Sequence, residues 1–265
     1  MNYSTSEAVI VLDSVNVEYG YHQALHQVSL CVLANSCVTI AGPNGAGKTT
    51  LLASILGLCQ IRTGLVKVLG RDLRDSPKFI RKHTGYVPQN VGIDPQIPLL
   101  VWDVISFGRL AHSSLFHNFS KKDKETIEEA AELVGIRHLL NRPFGYLSAG
   151  EQRKVALARV LAQQPKLLLL DEPLANLDLP AQAMLLELID KIKSEKELTI
   201  LLVSHDLTLL PKSCNQIVLM KKGRVILSAS KEVALREDVL SNLYDCPVKV
   251  VPYKQRGAIF VEGKS

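Results

Sequence analysis

The stretch GPNGAGKTT, residues 42–50, constrains the fold of this chain more than any other part of its sequence. It matches the pattern G-x4-G-K-[S/T], follows the apolar run CVTIA and precedes the helix-forming run KTTLLASIL. Glycines let main-chain N–H groups turn inward around phosphate oxygens, and the start of a helix adds a partial positive charge. The sequence therefore predicts a phosphate-binding loop between a buried strand and a helix.

The run LLLLDEP, residues 167–173, supplies the acidic groups that such a loop requires. Four consecutive leucines are typical of a strand buried on both faces of a parallel sheet. We expect Lys48 to reach the β- and γ-phosphates of a triphosphate, and Thr49 and Asp171 to serve its Mg²⁺. Glu172 is a candidate to polarise the attacking water. The chain lacks an N-K-x-D sequence, which argues against GTP.

Composition and charge fit an ordinary globular protein of 265 residues, 47% hydrophobic and 22% charged. The net charge of +5 is spread along the chain and favours a solvated surface over a nucleic-acid partner. The first residues lack the pattern of a signal peptide, and the apolar runs are shorter than the roughly 20 residues that cross a bilayer. A chain in the cytosol is expected, with its five cysteines reduced.

Hydrophobic periodicity predicts an α/β fold in a single domain, residues 1–265. AVIVLDSVNVEY, QALHQVSLCVL, GLVKVLG and LTILLVSHD read as strands, and VWDVISFGRL as a helix. A capping box of Ser120 and Asp123 opens another helix, whose Ile127, Ala131 and Val134 share one face. Ser148 and Glu151 have the same spacing and predict a second capping box at the start of a further helix. The expected parts are a core of about 8–91 and 163–228, a helical insert of about 92–162, and a C-terminal extension of about 229–265, which ends in two short helices and a strand pair.

Several motifs, in a characteristic order over about residues 11–224, resemble the ATP-binding subunits of ABC transporters. VEYG resembles the A-loop, GPNGAGKTT the Walker A motif, YVPQ the Q-loop, LSAGEQ the signature motif, LLLLDEP the Walker B motif, ANLD the D-loop and VSHD the switch region. The resemblance implies a P-loop NTPase (RecA-like) core with an antiparallel β subdomain and a helical insert, the ABC ATPase fold.

The resemblance also implies an ATPase with ATP and Mg²⁺ bound at specific residues. Catalytic roles fall on Lys48, Glu172 and His205, and Mg²⁺ contacts on Thr49, Gln89 and Asp171. In this family two subunits pack head to tail, so that the signature loop of one caps the γ-phosphate held by the other, which implies a homodimer. Ala149 and Glu151 depart from the family's LSGGQ. The implied ATP-contacting residues are Tyr19, Gly42, Pro43, Asn44, Gly45, Ala46, Gly47, Lys48, Thr49, Thr50, Gln89, Ser148, Gly150 and Asp171.

The segment after Gln89 resembles the corresponding segment in the ATPases of zinc, manganese and iron importers. This implies a peripheral subunit at the cytoplasmic face of the inner (cell) membrane, partnered by an integral-membrane permease and an extracytoplasmic metal-binding protein, without nucleic acid. Importers of siderophores, haem and cobalamin share part of the pattern and stay open, as do soluble ABC proteins of DNA repair or the ribosome. The residues of the pattern are Asp94, Pro98, Val101, Asp103, Val104, Gly108 and Arg109.

Overall fold

The computed structural model describes residues 8–90, 93–94, 96–112, 119–253 and 256–261. The chain divides into two units, one formed by residues up to Ile80 and from Thr199 onward, the other by Arg81–Leu198. The predicted boundary between core and helical insert, at residues 91 and 92, lies outside the described residues. Within the described ranges, no helix combines the length and apolar character needed to cross a membrane.

The first unit contains an antiparallel sheet of four strands in the order β2-β1-β4-β5. Strand β1 (Ala8–Tyr19) pairs with β2 (His22–Leu33) and with β4 (Ile61–Val68), and β4 pairs with the short β5 (Arg71–Asp72). Burial alternates along much of β1 and β2, as expected for strands with one face on a core. The predicted antiparallel subdomain is therefore confirmed.

The same unit contains parallel strands that carry the phosphate loop. Strand β3 (Cys37–Ala41) lies parallel to β8 (Thr199–Ser204) and β9 (Gln216–Lys221), and β10 (Arg224–Ala229) adds antiparallel to β9. Every residue of β3 and β8 is buried, in agreement with the continuous apolar runs. Helix α1 (Lys48–Leu56) follows the loop and ends at Gly57.

The C-terminal part of the first unit consists of two short helices and a hairpin, as predicted. Helices α7 (Lys231–Ala234) and α8 (Glu237–Tyr244) precede the antiparallel strands β11 (Val248–Tyr253) and β12 (Arg256–Val261). The main-chain N–H of Val248 donates to the Ser241 hydroxyl of α8 over 3.0 Å, which ties the hairpin to that helix.

The second unit pairs β6 (Thr84–Val87) in parallel with β7 (Leu167–Asp171). Helix α2 (Pro77–His83) contains the boundary between the units. The capping box that opens α4 is confirmed, and its Ile127, Ala131 and Val134 are buried together. The other helices are α3 (Val101–Ser106), α4 (Lys121–Leu133), α5 (Ala149–Ala162) and α6 (Leu179–Glu195).

The helix predicted over 101–110 is shorter than expected, because the chain tightens into a 3-10 turn at Phe107–Ala111. A Cβ at Gly108 would lie 1.9 Å from the Arg159 carbonyl oxygen, so this turn packs directly on the backbone of α5. The Arg109 guanidinium then donates to Asp123 and to the Ala162 carbonyl oxygen, each over 2.8 Å. Contact with α5 thus replaces the last turn of α3.

Candidate functional site

The phosphate loop turns where only glycine fits. Gly42, with φ +154°, passes so close to Met220 that a Cβ would lie 2.1 Å from its carbonyl oxygen. Gly47, with φ +95°, would place a Cβ 2.8 Å from the Ala24 carbonyl oxygen. Gly45, with φ +75°, faces open space. The first two glycines allow close packing against neighbouring strands, and the third leaves room on the side where a ligand would approach.

The loop is also anchored by main-chain hydrogen bonds. The Gly223 N–H, in the turn between β9 and β10, donates to the Ala46 carbonyl oxygen over 3.1 Å. The Gly223 carbonyl oxygen accepts from the His26 N–H of β2 over 2.8 Å. Within the loop, the Ala46 N–H donates to the Pro43 carbonyl oxygen over 3.2 Å. Two neighbouring elements therefore fix the path of the loop.

Lys48 occupies the centre of the loop and is only 6% exposed. Its Nζ donates to the carbonyl oxygens of Gly42 over 2.8 Å and Pro43 over 3.0 Å. These two bonds hold the lysine ammonium against the main chain of the loop. Thr49 and Thr50 follow on the first turn of α1, whose start adds the partial positive charge of the helix.

Tyr19, at the end of β1, is close to the start of α1. The side chains of Cys59 and Thr50 lie near its hydroxyl, and its ring is about half exposed. Burial, followed by the neighbouring Cys59, raises the pKa of Tyr19. Sequence analysis expected the cysteines only to be reduced, and it assigned no role to Cys59.

His205 lies at the same edge of the first unit as the loop. Ser204, at the end of β8, pairs with Ala41 at the end of β3, so that His205 and Gly42 leave the sheet side by side. The Ser204 hydroxyl donates to the Asp206 carbonyl oxygen over 2.8 Å and accepts from its N–H over 3.1 Å. These bonds form a tight turn that leaves His205 exposed.

In the second unit, Asp171 is buried at the end of β7, with 2% exposure. The Tyr86 hydroxyl donates to its Oδ2 over 3.3 Å. Burial, the charge of Asp171 and this hydrogen bond raise the pKa of Tyr86 to about 12, so the phenol stays a donor at neutral pH. Tyr86 was missed by sequence reasoning, although it stands in the YVPQ motif.

Glu172 and Gln89 meet at the edge where β6 and β7 end. Val87 pairs with Leu170, which brings the residues that follow each strand together. The Gln89 Nε2 donates to the Glu172 Oε2 over 3.0 Å. Glu172 adopts φ +45°, a conformation that non-glycine residues rarely adopt and that is often found at functional sites. The Glu172 carboxylate is thus positioned by the backbone conformation of Glu172 and by the Gln89 side-chain amide.

Ser148 is the N-cap of α5, and the predicted capping box with Glu151 is confirmed. The Ser148 N–H and hydroxyl both donate to Glu151 Oε2 over 2.8 Å, and the hydroxyl oxygen accepts from the Glu151 N–H. These bonds lower the pKa of Glu151, so it is charged at neutral pH. A Cβ at Gly150 would meet only the Ala181 side chain, at 3.7 Å. The hydroxyl that the resemblance assigns to a phosphate is engaged by a carboxylate.

This engagement predicts the effect of replacing Glu151 by glutamine. Glu151→Gln keeps a side-chain oxygen that can accept from the Ser148 N–H, but it removes the negative charge beside the expected phosphate position. We expect the ATP concentration that half-saturates dimer formation to fall by about twofold to fivefold, the effect of a screened charge at a helix start. Size-exclusion chromatography with light scattering over an ATP titration measures it.

Glu151→Ala is the matched comparison, because it removes the charge and the cap together. We expect a lower melting temperature for Glu151→Ala, since loss of part of a capping box costs about 1 kcal/mol. A Glu151→Gln variant that needs more ATP than the wild type to dimerise would contradict the prediction.

The predicted site residues therefore fall into two groups, one in each unit. The first unit brings together Tyr19, residues 42–50 and His205; the second brings together Gln89, Asp171 and Glu172, and carries Ser148 and Gly150 at the start of α5. A glycine loop around a buried lysine, opening a helix after a buried parallel strand, defines the class of P-loop nucleotide-binding proteins.

Comparisons with known proteins identify the family within this class to which the chain belongs. Residues 25–175 match the sequence model of the family described as ABC transporter, and the chain belongs to this family. The chain is accordingly an ATP-binding cassette, an ATPase whose hydrolysis is coupled to transport. The predicted family and fold class are confirmed.

Individual relatives match over most of their length. The manganese transport system ATP-binding protein MntB of Halalkalibacterium halodurans is 38% identical over 87% of this chain and 90% of its own. The iron(3+)-hydroxamate import ATP-binding protein FhuC of Bacillus subtilis is 31% identical over 90% of this chain and 88% of its own. The solved structure of cbiO1 from Clostridium perfringens, part of the ABC transporter complex cbiONQ, is 27% identical and superimposes with a TM-score of 0.77, covering 89% of this chain and 94% of that one.

Proposed function

We propose that this chain hydrolyses ATP to power the import of a metal ion, zinc, manganese or iron, through a separate membrane permease. The observation that carries the proposal is the 38% identity to a manganese transport ATP-binding protein over nearly the whole of both chains. The resemblance of the segment after Gln89 to the corresponding segment of metal importers supports it.

The nucleotide site is built from the phosphate loop and the groups beside it. Main-chain N–H groups of residues 44–50 surround the phosphates, and Lys48 contacts the β- and γ-phosphates. The half-exposed Tyr19 ring, beside Thr50 of α1, stacks on adenine. The fit is supported by the open space at Gly45 and by the burial of the Lys48 ammonium within the loop.

Three oxygen-bearing side chains would hold the Mg²⁺ of the nucleotide: Thr49, Gln89 and Asp171. Hydroxyl, amide and carboxylate oxygens suit this hard cation, and Asp171 is oriented by Tyr86. When bound, the ion neutralises charge on the β- and γ-phosphates. The resemblance of the three motifs that contain these residues, and the oxygen chemistry of their side chains, support this assignment.

Hydrolysis depends on residues that position a water molecule and the γ-phosphate. Glu172 orients the water and accepts its proton, and the Gln89 amide holds that carboxylate in place. His205 donates to the γ-phosphate from the turn after β8. Since the transition state of phosphoryl transfer gains from positioning and charge stabilisation, these contacts are the chain's contribution to the rate.

Two copies of the chain complete the sites between them. Ser148 and the Gly150 N–H of one protomer cap the γ-phosphate bound by the other, so ATP joins the protomers and hydrolysis releases them. The helical insert, about 92–162, docks on the permease, while the core, about 8–91 and 163–228, binds nucleotide. The subunit lies peripherally on the cytoplasmic face of the inner (cell) membrane, and an extracytoplasmic protein delivers the metal.

The proposal is tested by uptake of radioactive manganese, zinc and iron in a strain that lacks the gene, complemented with the wild type or Lys48→Ala. We expect uptake of at least one of these ions to fall to background without the gene and to return only with the wild type. The relationship to the hydroxamate protein favours one alternative, import of chelated iron. Loss of ferric-hydroxamate uptake with unchanged uptake of the free ions would support this alternative over our proposal.

A further inference from the structure

Arg153 is a buried cation on the second turn of α5, with 7% exposure. In the described part of the chain, its guanidinium donates to the carbonyl oxygens of two consecutive residues, Pro88, over 3.0 Å, and Gln89. A guanidinium presents its N–H groups in a rigid fork, so two adjacent carbonyls fix both its distance and its direction. The start of α5 is thereby fastened to the segment that follows β6.

Gln89 is consequently held from two sides. Its carbonyl oxygen accepts from Arg153, while its side-chain amide donates to Glu172 over 3.0 Å. A displacement of Arg153 would move the main chain of Gln89, and with it the amide that orients the Glu172 carboxylate. The negative charge of Asp171 also acts on Arg153, which places the guanidinium within electrostatic reach of that carboxylate.

Ser148 and Arg153 lie at the same end of one helix. Five residues of an α-helix span about 8 Å along its axis, and a helix moves as a rigid element over this length. A shift of α5 that brings Ser148 onto a phosphate therefore carries Arg153 with it. The contact chain runs from Ser148 through Arg153 to Gln89 and Glu172.

We propose that Arg153 is a positioning residue that couples the two nucleotide sites of the dimer. The inference rests on the proposed function, in which Ser148 caps the nucleotide of the partner protomer while Glu172 acts on the protomer's own. Engagement of the signature loop at one site then aligns the catalytic carboxylate at the other. The two sites are linked through α5 of each protomer, so hydrolysis is cooperative in ATP.

The test compares full-length wild type, Arg153→Lys and, as matched control on the same helix, Arg159→Lys. Lysine keeps the charge but replaces the rigid planar fork with a single ammonium, so it cannot hold the two carbonyls at the distance and direction that the guanidinium sets. ATPase rates over a range of ATP concentrations give kcat and the Hill coefficient, and a fluorescent ATP analogue gives nucleotide affinity. We expect a Hill coefficient above 1 for the wild type and for Arg159→Lys, and of about 1 for Arg153→Lys. The kcat of Arg153→Lys should be at least about tenfold lower than that of the wild type, while its nucleotide affinity should stay within about twofold of the wild-type value.

The outcomes separate this inference from the proposed function. An Arg153→Lys variant that is slower but equally cooperative would show a purely structural role and overturn the inference, as would a wild type that hydrolyses ATP without cooperativity. A wild type that does not hydrolyse ATP would contradict the proposed function itself. Melting temperatures show whether each variant folds. If Arg153→Lys does not fold, Arg153→Met, which retains much of the side-chain stem, replaces it in the same assays with the same expected results.

Discussion

The Glu172→Gln variant is expected to bind ATP but to hydrolyse it at least about 100-fold more slowly than the wild type, the usual contribution of a general base. Glutamine has the shape of glutamate, so it can still meet the Gln89 amide beside β7. It cannot accept a proton from water at neutral pH. In the proposed dimer ATP joins the protomers until it is hydrolysed, so we expect the variant to accumulate as an ATP-bound dimer, measured by light scattering on a size-exclusion column.

Glu187→Gln is the matched control for this measurement. Glu187 is an exposed residue of α6 in the same unit, and its replacement should leave both ATPase activity and elution unchanged. A Glu172→Gln variant that stays monomeric at saturating ATP and Mg²⁺ would contradict the shared-site dimer, and one that keeps its activity would remove Glu172 from the catalytic role.

Mixing Ser148→Arg protomers with Lys48→Ala protomers should restore activity that neither variant has alone. In the proposed two-fold dimer each site takes its phosphate loop from one protomer and its signature loop from the other. Either homodimer therefore has two defective sites, while a mixed dimer has one sound site and one site with both defects. Random mixing should give at most about a quarter of the wild-type rate, since half the dimers are mixed and each has one of two sites.

The control for this experiment is the sum of the two variants assayed separately. If each protomer completed its own site, the mixture would show only that sum, and the head-to-tail arrangement would be wrong. Two affinity tags, used in sequence, isolate the mixed dimer and allow its rate to be measured without the homodimers.

The residues predicted best from the sequence are those whose structure is set by their neighbours along the chain. The phosphate loop depends on glycine conformation and on the strand and helix next to it. Four consecutive leucines in the sequence predict β7. The two capping boxes require only residues three positions apart. Local chemistry of this kind can be read before any tertiary contact is known.

Other features depend on contacts between distant segments and could not be predicted. Strand β6 has only four residues and includes Gly85, so its pattern is too short to detect. Arg153 meets the Pro88 and Gln89 carbonyls across 64 or more positions of the chain, which no spacing reveals. Helix α6 was not predicted, although Asp178 and Pro180 at its start are ordinary signals of a helix N-terminus.

The anchoring of Ala46 to the turn at Gly223, and of that turn to His26, has an entropic consequence for nucleotide affinity. A mobile loop would lose conformational freedom on closing around phosphate, at about 1–2 kcal/mol for each residue ordered. Here the loop backbone is already ordered by folding, so little conformational entropy is lost when the nucleotide binds. More of the free energy of the phosphate contacts is then available to stabilise the proposed dimer of two protomers.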